Sequence, residues 1–141
     1  MNAMASTARR IFDDVTLADL GQIRRFVRES GAAAGCERAV IDELAVAVNE
    51  ALANIIRHSY ENKPGRIEVS VACSDETIRV VLGDDGPAFD PTTVPEPDTT
   101  LPLGERPFGG LGVHMMRDFC DALRYQRDAQ GRNELTLIKS R

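Results

Sequence analysis

Residues 66–73, RIEVSVAC, alternate polar and apolar side chains, with Ile67, Val69 and Val71 on one face. Alternation with a period of two marks a strand that buries only one side. A second run, TIRVVLG at 77–83, follows after Ser74-Asp75-Glu76. Two such runs joined by a short polar turn form a β-hairpin, and its apolar face must be covered. The cover lies upstream. Leu17, Leu20, Ile23, Phe26 and Val27 recur at helical spacing, so 17–30 reads as a helix. Thr16 offers its N-cap, with Asp19 three positions on as a weak capping-box analogue. Ser30-Gly31 and Gly35 are expected to punctuate its end. A second helix runs from about 37 to 58, with Ile41, Leu44, Val48, Leu52, Ile55 and Ile56 as its apolar face. Asn62-Lys63-Pro64-Gly65 then reads as a turn.

The remaining segments add edges to this sheet. Residues 9–15, RRIFDDV, read as a short strand, and 122–128 and 133–139 as a hairpin around Asp128-Ala129-Gln130-Gly131. A third helix is expected at 110–121, with Val113, Met116, Phe119 and Cys120 inward. Strands grouped in hairpins with helices between them imply an α+β fold, a two-layer sandwich. Its sheet is expected to be mixed but mostly antiparallel, with helices on one face. The lack of strict strand–helix alternation argues against a doubly wound parallel sheet. A chain of 141 residues has the size of one domain. We read 9–141 as that domain and 1–8 as a flexible leader.

Composition narrows the function. At 43% hydrophobic and 28% charged, the chain has the make-up of a soluble globular domain. No apolar run approaches the roughly 18 residues a membrane span needs, and no secretory signal is apparent. Cys36, Cys73 and Cys120 lie far apart in the sequence and are odd in number, against both a disulfide framework and a zinc site. A reducing cytoplasm fits that usage. The net charge of −5 disfavours direct nucleic-acid binding.

Three small motifs carry chemistry. Glu50 and Asn54 are one turn apart on the second helix and project side by side. An amide oxygen suits magnesium alongside phosphate oxygens, and a carboxylate beside it can accept a proton. Alone, the pair describes a solvated helix face equally well. Asp84 ends an apolar run and precedes Gly86. It can accept a hydrogen bond from an exocyclic amino group such as adenine's, with Gly86 leaving the backbone open to a ring. Asp85-Gly86 also reads as a simple turn. Gly109-Gly110-Leu111-Gly112 opens the third helix, where free amides and the helix dipole favour anions such as phosphate. The bland alternative is a loop-to-helix junction. Between the last two motifs, residues 86–108 hold six of the seven prolines and no periodicity, the pattern of a functional lid. No P-loop, dinucleotide fingerprint or activated nucleophile is present in the sequence.

In order and spacing, Glu50-xxx-Asn54, Asp84-x-Gly86 and Gly110-x-Gly112 resemble the ATP-binding boxes of the superfamily of gyrase, heat-shock chaperone, histidine kinase and mismatch-repair ATPases. The runs NEALANIIRHSY, DDGPAFDP and GGLGVHMMRDFCDALRY are similar to the short single-domain members of it, the bacterial anti-sigma factor serine-protein kinases. The likeness extends from about residue 10 to 139. It implies a Bergerat-type fold that binds ATP with magnesium. By matched position, Asn54 would coordinate magnesium and Glu50 would be the general base for a substrate serine. Asp84, with Gly86 beside it, would bind the adenine amino group. Gly110, Leu111 and Gly112 would hold phosphates, and 91–108 would form the lid. The implied partners are a sigma factor and an antisigma-factor antagonist, and such kinases are commonly homodimers.

The chain departs from the superfamily's Asp-x-Gly-x-Gly by having Ala88 at the last position. Arg106 reads as a solvated charge or as a phosphate contact, and His58 and His114 as packing or surface residues. Two further readings stand beside the kinase. One is an ATP-gated protein-binding switch without phosphotransfer. The other, a histidine-kinase catalytic domain, fits poorly, since no phosphoacceptor hairpin precedes the ATP site in this sequence.

Overall fold

The computed structural model describes residues 6–93 and 116–141. A five-stranded sheet carries the fold: β1 (Ser6–Val15), β2 (Gly65–Cys73), β3 (Thr77–Asp84), β4 (Ala122–Arg127) and β5 (Asn133–Ser140). Its spatial order is β1-β2-β3-β5-β4. Among the described strands all four neighbouring pairs are antiparallel, without the parallel pair that a mixed sheet would have. The last hairpin docks through β5, which places β4 at the edge.

Alternation sets which side is covered. Ile67, Val69 and Val71 on β2, Ile78, Val80 and Leu82 on β3, and Leu135 and Leu137 on β5 are buried on one face. Against them pack α1 (Leu20–Ala33) and α2 (Arg38–Asn54) through Ile23, Val27, Leu44, Val48 and Leu52. Arg9, Glu68, Ser70, Gly83 and Glu134 line a shallow polar groove on the opposite face. The architecture is therefore an α+β two-layer sandwich. Leu52 is fully buried in this helix–sheet core. Leu52→Ala is expected to lower stability by about 2–5 kcal/mol, read as a drop in the urea midpoint. An unchanged midpoint would mean that α2 is not packed as described.

Several boundaries differ from the sequence reading. The first helix begins with a 3-10 turn, Leu17–Asp19, and the Asp19 carboxylate accepts from both the Thr16 N–H and its hydroxyl at 2.9 Å. Gly31 does not stop α1, which runs to Ala33. A Cβ there would lie 3.1 Å from Ile41 and 3.3 Å from Ile78, so this glycine lets the helix close onto α2 and β3. β1 starts earlier than expected, at Ser6, and its register shifts between Phe12 and Val15, where Asp14 has φ 53°. Residues 116–119 are helical, whereas Cys120 lies outside the helix but is buried, as is Met116. Folding also brings together two of the dispersed cysteines. The Cys36 and Cys73 sulfurs are 4.0 Å apart as free thiols, and burial pushes Cys73 up to about 11.

Candidate functional site

The second helix does not end at 58 in regular form. After Asn54 it widens into a π-helical turn, Ile55–Ser59, closed by the Tyr60 N–H donating to the Ile55 carbonyl at 2.9 Å. Such turns are rare and concentrate at functional sites. This one forms a shelf on which the segment after β3 rests. Gly86 sits directly on it, and a Cβ at 86 would lie 2.5 Å from the Ser59 carbonyl oxygen. The Cβ side of Gly86 is thus occupied by the chain's own backbone. His58 stacks on Phe89 with ring centroids 4.7 Å apart. The Tyr60 hydroxyl donates to the Arg66 carbonyl and accepts the Asp85 N–H at 2.9 Å. These contacts hold the C-terminal end of α2 against the C-terminal end of β3, so Asn54 and Asp84 each end an element of this neighbourhood. Gly86→Ala is expected to cost about 1–3 kcal/mol, because the clash is with backbone that cannot rotate away. Thermal unfolding checks it, and an unchanged midpoint would mean that the loop does not rest on Ser59.

At the near end of that neighbourhood, Glu50 is half-buried and Asn54 is 4% exposed. The Asn54 Nδ2 has no hydrogen-bond partner among the described residues. A buried donor left unpaired costs about 1–3 kcal/mol, so Nδ2 is open to an acceptor from outside the described residues. Glu50 makes no ion pair or hydrogen bond among the described residues, which leaves its carboxylate uncommitted.

Asp84, at the far end, is 3% exposed. Burial raises its pKa, while hydrogen bonds from Asn133 and the Gly86 N–H pull it back. Both bonds, each 2.9 Å, land on Oδ1. Oδ2 accepts none among the described residues and is the oxygen available to a ligand. A buried acceptor held in this way suits an N–H donor from outside the chain.

Asn133 was not among the residues singled out in the sequence. It begins β5 directly opposite Asp84 and is 3% exposed. Its parity offered a signal: with Leu135 and Leu137 it shares the inward face of that strand, so a polar residue there needs buried partners. The segment after Gly86 continues to Asp90, which accepts the Thr92 N–H at 2.8 Å as the chain enters a 3-10 turn, Pro91–Thr93. Gly110, Leu111 and Gly112, together with Arg106, His114 and most of the expected lid, lie outside the described residues.

A helix ending in a widened turn thus lies across an antiparallel sheet with an inward acid at one strand end. Residues 14–139 match the model of the histidine kinase-like ATPase domain, and the chain belongs to that family. Among curated relatives, the serine/threonine-protein kinase BtrW of Bordetella bronchiseptica is 35% identical over 95 residues, covering 67% of this chain and 66% of its own. The serine-protein kinase RsbW of Bacillus cereus is 25% identical over 92 residues, covering 62% and 58%. The matches thus span less than two thirds of the curated relatives' length. A crystal structure of the RsbU and RsbW domains of a Mycobacterium tuberculosis protein superposes with a TM-score of 0.64 at 21% identity. It covers 96% of this chain and 33% of that one, which establishes likeness of fold. No helix among the described residues is long and apolar enough to cross a membrane.

Proposed function

We propose that this chain is an ATP-dependent serine-protein kinase that regulates transcription. It would phosphorylate a serine of an antisigma-factor antagonist and sequester a sigma factor. The observation that carries this reading is the Glu50–Asn54 pair: a carboxylate and a buried amide one helical turn apart, neither committed among the described residues. A protein that only captured a nucleotide would have no use for a free carboxylate beside the phosphate end of the site. The names of BtrW and RsbW support the same chemistry.

In this scheme Asp84 Oδ2 accepts the adenine amino group and fixes the base. The amides of Gly110, Leu111 and Gly112 hold the phosphates. The substrate serine oxygen attacks the γ-phosphorus as the bond to the ADP oxygen breaks, and the serine proton passes to Glu50. ADP leaves and phosphoserine remains, a transfer in which positioning and charge stabilisation do most of the work.

Magnesium fits the donor set. Asn54 would supply one neutral hard oxygen. One protein oxygen completed by phosphate oxygens and water is how magnesium is commonly held at such sites. When bound, it offsets phosphate charge. We place the site within a single domain which, since β1 pairs from Ser6, takes in residues 6–8 as well as the 9–141 expected, acting in the cytoplasm as a homodimer, without nucleic acid or membrane.

The test is transfer of radiolabelled phosphate from ATP, with magnesium, to candidate antagonist proteins, alongside calorimetric titration with ATP. Labelling of a serine supports the kinase. ATP binding without transfer to any antagonist would favour an ATP-gated binding switch. Absence of ATP binding would leave the family likeness as one of fold.

A further inference from the structure

We infer that Asn133 is the positioning residue for nucleobase recognition, holding the Asp84 carboxylate in the one orientation that presents Oδ2 to an amino group. The inference rests on the proposed role of Asp84. The amide sits at the centre of a buried network. Its Nδ2 lies 2.9 Å from Asp84 Oδ1, 2.9 Å from the Pro87 carbonyl and 3.2 Å from the Gly86 carbonyl. Two N–H groups thus serve three acceptors, one of them shared. Its Oδ1 accepts the Tyr125 hydroxyl and, at 3.0 Å, the Arg127 Nη1.

The direction of the amide follows from this chemistry. A guanidinium only donates, so the amide oxygen must face Arg127 and the nitrogen must face Asp84. Carboxylate rotation about χ2 is otherwise a broad, soft torsion. Asn133 restrains it by engaging Oδ1, and the same amide grips the two carbonyls that follow Asp84. Tyr125 and Arg127 both lie on β4, so the edge strand orients Asn133, and Asn133 orients Asp84. The last hairpin therefore takes part in reading the base without touching it.

The experiment compares calorimetric Kd values of the full chain for ATP and for purine riboside triphosphate, which lacks the 6-amino group. The wild type is expected to prefer ATP by about tenfold or more, the scale of a charge-assisted hydrogen bond. In Asn133→Ala that preference should fall toward unity, with little change in affinity for the analogue. Parallel weakening of both ligands, with the preference kept, would overturn the inference and leave Asn133 as a purely structural residue.

Asn133 is buried and its variant could fail to fold. Tyr125→Phe and the exposed Arg127→Met each remove one donor to its Oδ1 and decide the matter in that event. Each should reduce the preference for ATP by a smaller factor, and an unchanged preference in both would overturn the inference. Loss of discrimination in the wild type would instead sink the Asp84 reading, and this inference with it. The two failures are therefore distinguishable.

Discussion

Glu50→Gln is expected to slow serine phosphorylation by about 10²- to 10⁴-fold while leaving ATP affinity within experimental error. The substitution keeps size and polarity and removes only the ability to take a proton. Glu50 has no partner among the described residues, so the fold should not register its loss. General-base assistance contributes typically about 10²- to 10⁴-fold to rate. Single-turnover transfer to the antagonist should slow by that factor, with the calorimetric Kd for ATP unchanged. Full transfer in Glu50→Gln would remove Glu50 from the mechanism. A parallel loss of ATP binding would instead make it part of the nucleotide site.

The second large effect is at the base. In Asp84→Asn the new side chain must still accept from Asn133 and from the Gly86 N–H, because both are donors aimed at Oδ1. The amide oxygen is therefore committed to that side. Its NH₂ group is left where Oδ2 had been, a donor facing the donors of the adenine amino group. Loss of a hydrogen bond to a charged acceptor is worth about 1.5–3 kcal/mol, or roughly 10- to 150-fold in Kd. Thermal unfolding should show the variant folded. Normal ATP binding would rule out the adenine role.

Proton linkage at the same residue gives a further consequence. Burial raises the Asp84 pKa above that of an exposed aspartate. The folded state therefore takes up a proton more readily than the unfolded chain. Asp84's contribution to folding stability is full below its unfolded pKa and is lost as pH rises through the raised folded value. ATP affinity moves the other way, since protonation removes the acceptor. Acidification should thus weaken ATP binding before it affects an exposed aspartate, while this one residue's effect on folding turns favourable.

How much of this could be read in the sequence depended on distance along the chain. The β2–β3 hairpin was legible because alternation and a short turn are local. The Glu50–Asn54 pair was legible because helical spacing alone places its members side by side. Gly31 was misread as a stop because its meaning lies in Ile41 and Ile78, neither of which marks a helix interior. The π-helical turn has no composition of its own; it shows only in the Tyr60 N–H reaching back to the Ile55 carbonyl. Asn133 was missed because its partner Asp84 lies 49 residues away, across a pairing that no local pattern announces. The fold was thus easier to read than the site, which is assembled from strand ends that meet only in three dimensions.

The position of β5 between β3 and β4 has a consequence for how the molecule is made. β1, β2 and β3 pair as successive neighbours, so this part of the sheet can form while the chain is still being synthesised. Asp84 is then in place, but the strand that carries Asn133 has not yet emerged. Of the pairings that β1, β2, β3 and β5 make with one another, only β2 with β3 is a local hairpin; β1 and β5 each dock across about fifty residues of intervening chain. Docking of β5 against β3 therefore completes this part of the sheet and brings Asn133 to Asp84 in the same step. On the proposed role of Asp84, a chain whose β5 has not docked lacks the amide that fixes the carboxylate.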